Sequence, residues 1–263
     1  MEIAHDRWFL AIKQRHSRRQ YQAGRSVPPE MWQRLQMFTR SFKPFPCVRL
    51  ELCKGSIDNV FKGAIGSYGK VKDPPAYMVM IGNTSDPNYE EKTGYVGEAL
   101  ILEAVSMGLA TCWIGGFFNP KTVEKQIELS PQEKIMAVSP VGFPAQHRTF
   151  EERVLAGVTR SFRRMPVKQF ISGIKQSRQP DWMADALEAV RVAPSALNRQ
   201  PWRLHIESNW VIFSAANSIF NSNISKRLDC GIAMLHFEIA ARFHGVQGHW
   251  EFLESPLVAR FSY

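Results

Sequence analysis

Two stretches of this chain can be laid on one another without a gap. Residues 94–108 read "GYVGEALILEAVSMG" and residues 231–245 read "GIAMLHFEIAARFHG". A glycine opens and closes both, Leu102 falls on Ile239, and Ala104 falls on Ala241. Beyond the closing glycine the match continues, with Trp113 falling on Trp250. Each stretch is a mostly apolar helix that ends at a glycine suited to a left-handed C-terminal cap. A helix apolar on most faces must be buried on most faces. Any two buried helices share part of this pattern, but the matched Trp after the matched glycine predicts an internally duplicated core.

The remaining pattern mixes helices and strands without βαβ alternation, which predicts an α+β fold. "HDRWFLAIKQRHS" and "VPPEMWQRLQMF" have helical rhythm, the second opening on prolines. "CVRLELC" alternates like a half-buried strand, and "AYMVMIG" is apolar throughout like a buried one. "TCWIGGFF" reads as a short strand entering a Gly-Gly turn, "KTVEKQI" as a short helix and "IMAVSPVGFP" as a strand. "DWMADALEAVRV" reads as a helix with Asp181 as its N-cap. "WRLHIES" and "WVIFSA" form a hairpin across Ser208 and Asn209, and "VQGHWEFL" closes as a strand.

Composition narrows the function classes. In 263 residues, no apolar run reaches the roughly 20 residues that span a bilayer. The N-terminal residues lack a signal-peptide core, so the expected location is cytoplasmic, without membrane association. Cys47, Cys53, Cys112 and Cys230 match no zinc or redox spacing, so no metal site is expected and the thiols are read as small core residues. The formal charge is +9, yet the basic residues are scattered apart from "RHSRR" (15–19) and "RSFRR" (160–164). Two compact arginine clusters suit a phosphate-sized anion better than a nucleic-acid track, and no nucleic-acid partner is expected.

Three constellations carry chemistry. In "RHSRR", Arg15, Ser17 and Arg19 alternate, so an extended backbone would put two guanidiniums and a hydroxyl on one face as an anion clamp. A basic helix end that complements the helix dipole accounts for the same residues locally. In "APSALNRQPW" (193–202), Pro194 and Pro201 stiffen a loop whose Ser195, Asn198 and Gln200 offer donors and acceptors. The amides could meet the edge of a flat heterocycle or satisfy their own backbone. Gly115 and Gly116 allow close backbone approach to a flat ligand. No Ser-His-Asp or Cys-His arrangement stands out, so no protein nucleophile or general base is assigned.

These stretches resemble motifs of the FMN-dependent nitroreductase family, in particular its single-chain, internally duplicated branch. "RHSRR" is similar to an N-terminal R-x-S-x-R signature, "APSALNRQPW" to P-S-x-x-N-x-Q-P-W, and "GLATCWIGGF" to G-L-x-T-C-W-I-G-G-F. "RRMPV" (163–167) resembles the basic R-x-P element, and "LDCGIAMLHFEIAARFHG" the D-x-G helix at the dimer core. The resemblance implies two related halves, 1–170 and a shortened 171–263, each a mainly antiparallel sheet flanked by helices. The first half keeps "RHSRR" and "TCWIGGF" but has "RSFKPFPCVRL" in place of its own loop, and the second keeps the loop. A monomer acting as an intramolecular pseudo-dimer, with one flavin site between the halves, is the implied arrangement.

The resemblance also implies roles. Arg15 and Ser17, beside His16, would hold the phosphate and ribityl region, with Arg163 or Arg164 as a further phosphate contact. Arg19 would lie near the flavin N1–O2 edge. Ile114, Gly115 and Gly116 would flank N5, and Tyr68 and Gly69 in "SYGKV" would add contacts. Pro194, Ser195, Ala196, Asn198 and Gln200 would cover the ring and its polar edge. The implied activity is ping-pong hydride transfer from NADH or NADPH through FMN to a small electron-poor acceptor, such as a nitroaromatic or a quinone. A flavin- or nucleotide-binding protein without turnover is the alternative.

Overall fold

The computed structural model describes residues 2–55, 57–61, 71–146, 163–216 and 223–263. Helices α1 (His5–Gln14) and α2 (Pro29–Ser41) come first, α2 opening on prolines whose missing N–H is harmless in a first turn. Strand β1 (Val48–Lys54), the short α3 (Asp58–Phe61) and β2 (Ala76–Asn83) lead to the long helix α4 (Tyr89–Ser106). Then follow β3 (Ala110–Thr111), α5 (Pro120–Glu124) and β4 (Glu133–Gly142). The later part runs β5 (Ile171–Gly173), α6 (Trp182–Val192), β6 (Trp202–Ile206), β7 (Trp210–Ala215), α7 (Lys226–Phe243), β8 (His249–Phe252) and β9 (Leu257–Ser262).

The strands form two sheets. The first has the order β1-β2-β4-β3 and is antiparallel throughout, with Val79 opposite both Glu51 and Val138. The second has the order β5-β6-β7-β9-β8, antiparallel except for the parallel pair β5–β6. The expected hairpin is β6–β7, with Ile206 opposite Val211. The α+β expectation holds.

Helices α4 and α7 pack on one another more extensively than any other pair of helices described. They are the two stretches that match in sequence, and a glycine permits the approach in each. A Cβ added to Gly94 would lie 2.0 Å from the Leu228 carbonyl oxygen, and one on Gly231 would lie 1.8 Å from that of Glu91. Gly108 and Gly245 stand just past the two helix ends at φ +81° and +77°, the left-handed conformation expected of such caps. Ser225 caps α7 by accepting from the Arg227 N–H at 3.1 Å.

Two local expectations are corrected. Asp181 stands at the N-cap position of α6, but its backbone is helical (φ −57°, ψ −38°) and its side chain caps nothing. "TCWIGGFF" is not a continuous strand: pairing with β4 is limited to Ala110–Thr111, and Ile114 then makes an isolated bridge to Val138. Cys47, Cys53, Cys112 and Cys230 are free thiols. Among the described residues no helix is long and apolar enough to cross a membrane.

Candidate active site

Arg15 ends α1. Its ψ of 120° turns the chain into an extended run that lies along the first sheet. Ser17 bridges Thr111 in parallel, Gln20 bridges Lys72, and the Arg18 N–H donates to the Thr111 carbonyl at 2.9 Å. The run is extended as expected, but its alternate side chains differ in burial. Arg15 is 6% exposed, Ser17 and His16 are exposed, and Arg19 is half-buried.

The Arg15 guanidinium faces a buried carboxylate from α4. Its Nε is 3.6 Å from Glu98 Oε1, beyond hydrogen-bond distance. Glu98 Oε2 accepts the Trp113 indole N–H at 2.6 Å, and Oε1 lies 3.0 Å from His236 Nε2 on α7. Glu98 thereby ties "RHSRR", the "TCWIGG" turn and α7 together. Nε and Nη1 of Arg15 are buried and make no hydrogen bond among the described residues. A buried donor without a partner costs roughly 1–3 kcal/mol, more when charged, so this arginine is short of an acceptor.

A second arginine converges there. Arg164 donates from Nη1 to the Ala193 carbonyl and to Asn198 Oδ1, each at 2.9 Å. Burial, then repulsion from Arg15 and Arg191, pushes its pKa down to about 10. Two guanidiniums that repel each other in a partly dry site are stabilised by an anion between them. Arg163 is exposed.

The loop that follows α6 holds Arg164 in place. Asn198 Nδ2 donates to the Arg163 carbonyl at 2.8 Å. Gln200 Oε1 accepts the Met165 N–H at 2.7 Å, while its Nε2 reaches the carbonyls of Arg163 and Asn198, each at 3.2 Å. Ser195 Oγ accepts the Gln200 N–H at 2.9 Å. These polar groups, which invite a ligand reading in sequence, fasten the 163–165 segment against the loop. Leu197, Asn198 and Gln200 adopt φ of 55°, 55° and 47°. Such left-handed non-glycine residues cost about 1 kcal/mol or more each and persist only where the surroundings impose them.

Asp229 on α7 imposes part of it. Its Oδ1 accepts the Ala196 N–H at 3.0 Å and its Oδ2 accepts Arg199 Nε at 2.7 Å. Arg199 Nη2 also reaches the Ser225 carbonyl at 2.6 Å. Burial pushes the Asp229 carboxyl up to about 6, with Arg199 and the Ala196 N–H only partly offsetting it. Pro194 is buried beneath the loop.

The Gly-Gly turn lies against the residue before the α7 cap. A Cβ on Gly115 or Gly116 would approach the Ile224 side chain to 3.2 Å or 3.3 Å. The structure therefore brings together Arg15, Arg164, Asn198 and Gln200 from three distant segments, with Ile114, Gly115 and Gly116 joined to them through Trp113 and Glu98. Tyr68 and Gly69 lie outside the described residues. Glu98, His236 and Arg199 were missed in the sequence, and Asp229 was noted only within the D-x-G stretch. For Glu98, His236 and Asp229 the readable signal was a carboxylate or imidazole inside a largely apolar helical run.

A family model described as "Putative TM nitroreductase" matches residues 8–241. The chain belongs to this nitroreductase family. Membership makes it an oxidoreductase of the nitroreductase type. No curated protein matches this nitroreductase. A crystal structure described as a "putative nitroreductase" from Thermotoga maritima is similar in fold, with a TM-score of 0.67 at 18% identity, over 100% of this chain and 96% of that one. A nitroreductase family protein from Clostridium difficile has a TM-score of 0.47 at 22% identity, over 63% of this chain and 96% of its own. A Bacteroides fragilis nitroreductase with bound FMN has a TM-score of 0.43 at 15% identity, over 54% of this chain and 91% of its own.

Proposed function

We propose that this nitroreductase binds one FMN between its two halves, residues 1–170 and 171–263. It takes electrons from NADH or NADPH and passes them to a small electron-poor acceptor, a nitroaromatic or quinone, in ping-pong order. The observation that carries the reading is Arg15. Its buried Nε and Nη1 lack hydrogen-bond partners among the described residues, and Arg164, which it repels, lies nearby. That donor set fits a phosphate monoester.

Arg15, Ser17 and Arg164 would hold the phosphate and ribityl end, with Arg163 at the rim. Arg19 would favour negative charge on the ring's polar edge. Pro194, Ser195, Ala196, Asn198 and Gln200 form the loop on one side, and Ile114, Gly115 and Gly116 the turn on the other. Bound FMN supplies the redox chemistry. The chain's part is to orient the ring and to hold charge beside it.

A pseudo-dimer with a single site is supported by an asymmetry between the two central helices. On α7, Glu238 Oε2 accepts both the Tyr95 hydroxyl and the Trp250 indole N–H at 2.6 Å, while Oε1 accepts Arg242 Nε at 2.8 Å. Trp250 is the residue that Trp113 matches, so Glu238 plays the part of Glu98. There the arginine is hydrogen-bonded to the carboxylate, whereas Arg15 approaches Glu98 only to 3.6 Å.

An absorption titration with FMN, followed by NADH and NADPH oxidation with a quinone acceptor, tests the proposal. A flavin spectrum with turnover is expected, and FMN affinity should collapse in the Arg15→Ala, Asn198→Ala double variant. Unchanged affinity in that variant overturns the site. A flavin spectrum without NAD(P)H oxidation reduces the protein to a flavin binder.

A further inference from the structure

Thr111, on β3, is 1% exposed, and its hydroxyl is buried without a hydrogen-bond partner among the described residues. Packing alone asks for no polar atom there. Valine has nearly the same shape, is equally at home in a strand and carries no hydroxyl to desolvate. A buried hydroxyl with nothing to bond loses its hydration uncompensated.

The backbone fixes which side of the sheet Thr111 faces. Cys112 and Ile114 join the smaller apolar cluster on one side, while Trp113 packs on the main core and donates to Glu98 at 2.6 Å. Thr111, two residues before Trp113, shares its side. Ser17 pairs with Thr111 in a parallel bridge, so the two residues face the same way, and the Arg18 N–H bond to the Thr111 carbonyl at 2.9 Å holds that register. Arg15 reaches this side too, since its Nε stands 3.6 Å from Glu98, the carboxylate that Trp113 bonds. The Arg15 guanidinium and the Thr111 hydroxyl are thus two buried groups with donors to spare on one side of β3, and Ser17 is exposed beside them.

We infer that Thr111 is a further ligand-binding residue, whose hydroxyl donates to an oxygen of the anion held by Arg15. The inference rests on the reading of Arg15 as the phosphate contact. A hydroxyl suits the task, because it adds a directed hydrogen bond to an anionic oxygen without adding charge where Arg15 and Arg164 already repel. The same group destabilises the ligand-free chain and stabilises the complex.

That opposition in sign is the test, and it takes two substitutions in the full chain. Thr111→Val keeps the shape and deletes the hydroxyl. Without ligand it should unfold at a higher urea concentration than the wild type, because an unbonded buried hydroxyl is gone. Its affinity for FMN should fall about tenfold, the value of a hydrogen bond to a charged group, while its affinity for riboflavin, which has no phosphate, stays the same. Thr111→Ser keeps the hydroxyl and loses a buried methyl. It should unfold at a lower urea concentration than the wild type yet bind FMN within about twofold of it. A residue with only a structural role would lose stability and affinity together. A lower urea midpoint for ligand-free Thr111→Val overturns the inference whether or not FMN binds. FMN affinity that falls in Arg15→Ala but not in Thr111→Val, or an equal loss for riboflavin, overturns it while the phosphate reading of Arg15 stands. Unchanged FMN affinity in Arg15→Ala overturns that reading, and this inference with it.

Discussion

Gly94 and Gly231 each lie against the backbone of the other's helix, Gly94 on the Leu228 carbonyl and Gly231 on that of Glu91. Residues 94 and 231 differ by the same interval as residues 91 and 228, so each contact is the other's image. That reciprocity is what a two-fold relation between α4 and α7 requires.

Neither glycine tolerates a methyl. Gly94→Ala and Gly231→Ala place a carbon within 2.0 Å of a carbonyl oxygen that belongs to a packed helix. Each is expected to destabilise the chain by about 3 kcal/mol, and the two effects should fall short of additivity because the helices separate once. Urea unfolding of the single and double variants checks both statements.

Arg15 should matter to binding in a way a lysine cannot replace. Arg15→Ala is expected to weaken FMN about 10- to 100-fold, the value of hydrogen bonds to a charged group. Arg15→Lys keeps the charge but loses the planar fork, and should recover only part of that loss. Fluorescence titration of FMN measures both.

Asp229 should leave a signature in stability against pH. Burial raises its folded-state pKa from 3.8 to about 6. A raised acid favours the folded state while protonated, so its contribution is full below pH 3.8 and is lost as pH rises through about 6. The unfolding free energy of the wild type, relative to Asp229→Asn, is therefore expected to fall by about 3 kcal/mol between pH 3.5 and pH 7. Parallel denaturant curves across that range decide it.

Leu197 is nearly half exposed and sits at φ 55°, ψ 20°. Leu197→Gly relieves a left-handed backbone that costs about 1–2 kcal/mol, against roughly 0.5–1 kcal/mol for glycine's extra unfolded freedom. A net gain of about 0.5 kcal/mol in stability is expected by urea unfolding. Loss of stability would show that the Leu197 side chain packs more usefully than its exposure implies.

The parts of the fold that depend on local pattern were legible. The apolar runs and closing glycines of α4 and α7, the β6–β7 hairpin and the prolines of α2 all read directly from residue order. What escaped depends on distant partners. Glu98 and His236 are 138 positions apart, and nothing local says that a carboxylate in one apolar helix meets an imidazole in another. Asn198 and Gln200 were conspicuous, but their geometry spends the amides on residues 163–165, an engagement only the folded chain reveals. Asp181 looked like a cap, and its helical backbone removed the geometry a cap needs. The three-residue β5, joined in parallel to β6, was too short to carry a pattern.

Arg15 follows the first helix, Arg164 precedes the second sheet, and the loop that grips Arg164 is pinned to α7 by Asp229. No contiguous segment contains the proposed anion site. A ligand held by both Arg15 and Arg164 would link these segments, so it would stabilise the folded chain as a whole rather than one element of it. A ligand with a visible spectrum at this position would be an intrinsic reporter of whether the whole chain is folded.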